Sequence, residues 1–155
     1  MRTLGLALAL LTLVGLQTSF AAEPSAPAEA PKPTTGNGEA NWIVTDGATR
    51  DGATFSFREV RIDGNGWLVM HPFKDGKPVG DVYVGATYLE DGESRDVAIT
   101  VDSVPEPGDM FIVMLHRDVN ENRVFDFVFV DERNVLDKAV FEGTKMIGHP
   151  FAAPE

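Results

Sequence analysis

Between Met114 and Phe127 the chain reads Met-Leu-His-Arg-Asp-Val-Asn-Glu-Asn-Arg-Val-Phe-Asp-Phe, which places Asp118, Asn120, Asn122 and Asp126 on one short segment. A hard cation such as Ca²⁺ takes about six to eight oxygen ligands, and alternate side chains of a tight loop supply several at once. Against the calcium loop of an EF-hand, these residues fall at the first, third, fifth and ninth positions. Val124 would offer its carbonyl at the seventh. Two positions depart from that pattern: Arg123 stands where the sharp turn calls for glycine, and Phe129 where a bidentate glutamate belongs. Glu121, Asp131 or Glu132 would have to complete the shell. The same residues also suit a hairpin without any ion, because Asp and Asn side chains bond backbone amides two residues on and tolerate left-handed conformations.

A second set is soft. Beyond Met1, the thioethers and imidazoles are Met70, Met110, Met114, Met146, His71, His116 and His149. Period-2 alternation puts Met110, Met114 and His116 on one strand face. Together with His71 they form a candidate copper set, since thioether and imidazole favour that metal. A type-1 blue site is excluded, because the chain has no cysteine to give the thiolate. The other reading makes the methionines core filler and the histidines polar strand ends.

Catalytic signatures are missing. There is no Gly-x-Ser-x-Gly elbow, no His-Glu-x-x-His and no phosphate-binding loop. Acids occur in nearly every turn, so no carboxylate pair stands out, and an Asp118–His116 pair at a strand end reads as structural. The sequence therefore points away from an enzyme, with no catalytic residue assigned.

These residues must be positioned by strands. Runs rich in β-branched and aromatic residues lie at Trp42–Thr45, Thr54–Ile62, Trp67–Phe73, Val79–Leu89, Asp96–Val101, Met110–His116 and Val124–Val130, with a weaker one at Thr144–Ile147. Turn clusters such as Asp63-Gly64-Asn65-Gly66 and Asp75-Gly76-Lys77-Pro78 separate them. Val97, Ile99 and Val101 should share one face, as should Phe125, Phe127 and Phe129. Only Asn134–Phe141 carries a short helical pattern. The expected fold is all-β, an antiparallel immunoglobulin-like or cupredoxin-like sandwich of about seven or eight strands, with a small barrel as the alternative.

The N-terminus reads as an address. Arg2 precedes an apolar run from Leu4 to Leu16, too short to span a bilayer, and Ser19 and Ala21 supply small residues at a cleavage site. Residues 1–21 are thus expected to be a signal peptide, and 22–40, rich in Pro and Ala, a disordered tether. The folded domain would occupy 41–155. No later stretch is apolar enough to span a membrane as a helix. The formal net charge is −11, which disfavours nucleic acid, and cleavage would remove Arg2 and no acid. With no cysteine, the core must stabilise an exported domain without disulfides.

Three segments match a known pattern in order: Gly66-Trp67-Leu68-Val69-Met70-His71, Val84-Gly85-Ala86-Thr87-Tyr88-Leu89-Glu90-Asp91-Gly92, and the stretch from Met114 to Phe127. Over most of residues 44–148 the chain resembles an uncharacterised domain of secreted and cell-surface proteins, well represented in haloarchaea. The resemblance implies an exported β-sandwich module and no particular reaction. The functional expectation is a non-catalytic domain, secreted or periplasmic, that binds a protein or surface component, or a divalent cation, through one end of the sandwich. The alternative is a periplasmic copper-binding protein.

Overall fold

The structure, a computed structural model, describes residues 33–130, 133–134 and 136–155. The expected signal peptide and residues 22–32 of the expected tether lie outside the described residues. In chain order the strands are β1 (Thr34–Gly36), β2 (Trp42–Ile43), β3 (Thr49–Asp51), β4 (Thr54–Ile62), β5 (Gly66–Lys74), β6 (Lys77–Pro78) and β7 (Gly85–Leu89). They continue with β8 (Gly92–Thr100), β9 (Met110–Arg117), β10 (Phe129–Val130), β11 (Arg133–Asn134), β12 (Phe141–Glu142) and β13 (Lys145–Ala152). The fold is all-β, as expected.

Two sheets face each other. In the smaller, β4 lies at the centre, with β2 and β3 along one edge and β8 along the other. In the larger, β13, β9 and β5 run side by side, β1 and β12 flank β13, and β6 and β7 share the outer edge of β5. Alternation explains the filling between them. Phe55, Phe57, Val60 and Ile62 of β4 meet Leu68 and Met70 of β5 and Phe111, Val113 and Leu115 of β9 in one buried cluster. Phe55 packs edge-on against Phe111 and Phe57 against Phe151, with ring centroids 5.6 Å apart in each pair. Along β4 the buried phase slips by one residue at Arg58–Glu59, opposite Asp96, whose φ is 51°. Val97, Ile99 and Val101 are all buried, as their spacing predicts.

The other face of the larger sheet is buried too. Trp67, Val69 and His71 of β5 and Ile112, Met114 and His116 of β9 point away from the core, yet each is at most 9% exposed. Phe125 and Phe127 of the connection after β9 pack over Trp67, His71 and His116.

Four expectations need correction. Val124–Phe127 form no strand: Glu121 and Arg123 adopt φ of 56° and 58°, and the chain then crosses the sheet as a cover rather than joining it. Phe125, Phe127 and Phe129 are accordingly half-buried or exposed and lie outside the main core. Val79–Val84 is also not strand, because after β6 the chain loops out at Gly80–Asp81 and its backbone rejoins that of β5 where the Val84 amide meets the Met70 carbonyl, at 2.8 Å. The helical pattern at Asn134–Phe141 gives no helix among the described residues; Ala139 bridges to His116 as an extended segment. Finally, order begins before residue 41. Thr34–Gly36 pairs in parallel with Lys145–Ile147, and the Glu142 carboxylate accepts the amides of Glu39, Ala40 and Asn41 at 2.7–3.1 Å. A single carboxylate with several backbone donors offsets the ordering entropy that composition alone leaves unopposed.

Candidate functional site

The outer face of the larger sheet carries a cavity of about 460 Å³. Its floor is strand: His71 from β5, and Ile112, Met114 and His116 from β9. Its cover is the connection after β9, through Phe127, Phe129 and Ala139, with Met146 of β13 at one side. His71 and His116 lie on one face of the β5–β9 ladder with the Val69–Met114 pair between them, since Trp67 pairs with His116 and His71 with Ile112, and their rings lean toward each other. Gly66 permits this close strand approach, since a Cβ there would run into the carbonyl oxygen of His116.

Both rings are fixed by backbone. The Nδ1 of His71 lies 2.7 Å from the Val82 carbonyl oxygen, on the excursion between β6 and β7. The Nδ1 of His116 lies 2.6 Å from the carbonyl oxygen of Asp137. Their Nε2 atoms face each other at 3.4 Å. Phe127 packs against both rings, Phe125 against His116, and Tyr83 closes over Phe125 and Phe127. Burial pushes both imidazoles down, His116 to about 4, against the opposing effect of the carbonyls. Both are neutral at ordinary pH.

Of the candidate copper set, His71, Met114 and His116 meet here. Met110 does not: it sits at the far end of β9, 41% exposed and paired with Ala152. Met146 stands in the cavity instead. It was legible as a soft ligand, but only the folded chain shows that it lines the same cavity as His116. Val82 and Asp137, which act through their carbonyls, carry no sequence signal for that role.

The acidic loop folds on itself. Asp118, only 4% exposed, accepts the amides of Asn122 at 3.3 Å and Arg123 at 2.9 Å. Asn120 and Asn122 both donate their side-chain amides to Asp126 Oδ2, at 2.9 and 2.8 Å, and Asn122 Oδ1 accepts the Val124 amide at 2.7 Å. These two donors hold the Asp126 carboxyl below the usual carboxylate range. Asp137, fully buried, ties the loop's two ends together by accepting the amides of Val119 and Asp126. The four side chains of the calcium reading are thus brought to one turn, with oxygens engaged by the loop's own donors. Asp131 and Glu132, its possible supplements, lie outside the described residues. Among the described residues no group of three or more His, Asp or Glu side chains is placed to hold a metal.

No helix among the described residues is long and apolar enough to cross a membrane. The chain is 30% identical over 77 residues to Cell surface glycoprotein 2 of Haloarcula hispanica, a match covering 50% of this chain and 8% of that glycoprotein. It therefore spans a small fraction of this relative's length. No solved structure matches the chain. A family model matches residues 41–147, from the asparagine held by Glu142 to Ile147, the buried core residue of β13. On that match the chain belongs to the family described as domain of unknown function (DUF7282).

Proposed function

We propose that this protein is an exported, non-catalytic β-sandwich module of the periplasm or cell surface, which acts by binding at the outer face of its larger sheet. The observation that carries the reading is the cavity over β5 and β9. It is deep enough for a small ligand, and its polar side-chain atoms are two imidazoles held by backbone carbonyls. Export is supported by the signal-like N-terminus and by likeness to part of a cell-surface glycoprotein.

Methionine methyl spectra test the binding role. Met114 and Met146 report the cavity, while Met70 in the core and Met110 at the far end of β9 serve as controls. Against a panel of metal ions and small amphiphiles, a binder should shift the first two alone. A panel that moves only Met110, or none of the four, would count against the site. Fractionation of cells making the full chain tests the address: it should leave the cytoplasm, and a variant lacking residues 1–21 should not.

A further inference from the structure

The two imidazoles are arranged as acceptors facing one another. A carbonyl oxygen can only accept a hydrogen bond, so the carbonyls of Val82 and Asp137 place the ring protons of His71 and His116 on Nδ1. Each neutral ring then presents a bare lone pair at Nε2. These lone pairs meet at 3.4 Å inside a site where both residues are at most 3% exposed. Neither ring has a proton left to donate to the other. An added proton would bridge them, but burial opposes the charge, as the depressed basicity of both rings reflects.

A metal ion satisfies both lone pairs together. Two nitrogens bound at about 2.0–2.1 Å to one trigonal or tetrahedral metal stand roughly 3.3–3.6 Å apart, which brackets the observed spacing. Ligands of this kind must present a lone pair to bind, and the Nδ1 contacts to the Val82 and Asp137 carbonyls leave Nε2 of each neutral ring to do so. The remaining lining narrows the choice of ion. Met114 and Met146 offer thioether sulfur, a soft donor that suits Cu(I). No lining residue is acidic, so every available ligand is neutral. The cost of burying an ion grows with the square of its charge, so a divalent cation would pay about four times the desolvation of a monovalent one here, with no anionic ligand in the lining to offset it.

We propose that His71 Nε2 and His116 Nε2 hold one Cu(I) ion in this cavity, with the thioether of Met114 or Met146 as a further ligand. The inference rests on the reading of the cavity as the binding site. It differs from the set drawn from sequence by exchanging Met110 for Met146. The aromatic cover of Phe125 and Phe127 keeps water from the ion, which favours the reduced state.

The test is an anaerobic titration of the exported chain with Cu(I), buffered by a chromophoric chelator such as bicinchoninate. One ion per chain should be withdrawn from the chelator, and His71→Asn and His116→Asn should each weaken uptake at least a hundredfold. Failure to withdraw the ion, or full uptake by a folded His116→Asn protein, overturns the site. Should either variant not fold, ¹⁵N-histidine spectra of the unaltered chain decide. Cu(I) must shift Nε2 of His71 and His116 and spare His149; a shift confined to His149 refutes the assignment. X-ray absorption of the loaded protein must show nitrogen and sulfur neighbours, and a spectrum without sulfur removes the thioether. If Cu(I) fails while Zn(II) or an amphiphile moves the Met114 and Met146 methyls, copper falls and the cavity stands. If nothing moves them, both readings fall.

Discussion

Acid should destabilise the metal-free domain before its carboxylates titrate, and His116 sets the size of the effect. Its folded pKa is about 4, lowered chiefly by burial, against 6.5 when unfolded. Between these values the unfolded chain binds the extra proton, so stability rises with pH through this window and falls as pH drops from about 6.5 toward 4. Going from about pH 7.5 to about pH 5, linkage gives a loss on the order of 2 kcal/mol from this ring alone. The ring faces His71, Phe125 and Phe127, and His71 is shifted in the same direction, so the two add to the slope. Urea denaturation with EDTA at both pH values measures it: at about 1–2 kcal/mol per molar, the midpoint should fall by about 1–2 M. His116→Asn keeps a donor for the Asp137 carbonyl while removing the titration. That variant should lose most of the dependence, retaining the share due to His71 and to the less buried His149. Equal midpoint shifts in the variant and the unaltered protein would refute the reasoning.

Three further outcomes follow from the packing. Phe57→Ala, at a fully buried position between the sheets, should cost about 3–5 kcal/mol in the same assay, and Phe127→Ala, half-buried in the cover, about 1–2 kcal/mol; comparable costs would place the cover in the main core. Asp118→Ala removes the acceptor of two loop amides and should lower the melting temperature equally in EDTA and in millimolar calcium; a larger drop in calcium would revive an ion at this loop. Glu142→Gln should speed amide exchange at Glu39, Ala40 and Asn41 with little change at β9, whereas unchanged exchange would mean that β1 alone holds the segment.

The sheets were legible where β-branched and aromatic runs lie between clear turns. Thr54–Ile62 and Met110–Arg117 match the expected bounds to within a residue, although β4 slips phase at Arg58–Glu59 and β9 is buried on both faces. Legibility failed where aromatic residues cover a sheet instead of extending it. Val124–Val130 has the composition of a strand, but the positive φ at Glu121 and Arg123 and the buried carboxylate of Asp137 send it across the sheet. The N-terminal strand was hidden for a different reason: nothing in Thr34–Gly36 signals burial, and its order comes from Lys145–Ile147 and Glu142 more than a hundred residues away. For the site, the residue types were readable and the partners were not. Met114 and His116 were placed together by alternation and His71 was added as a further soft ligand, while Met146 in place of Met110 is seen only in the folded chain, where Met110 lies at the far end of β9.

Native mass spectrometry of the protein taken from the exported fraction of copper-replete cells, kept anaerobic, reads export and ligand together. The account predicts one species, beginning at Ala22 and carrying a single copper ion that is lost in His116→Asn. A chain that retains Met1 would contradict the export assignment, and a correctly processed chain without copper would contradict the metal.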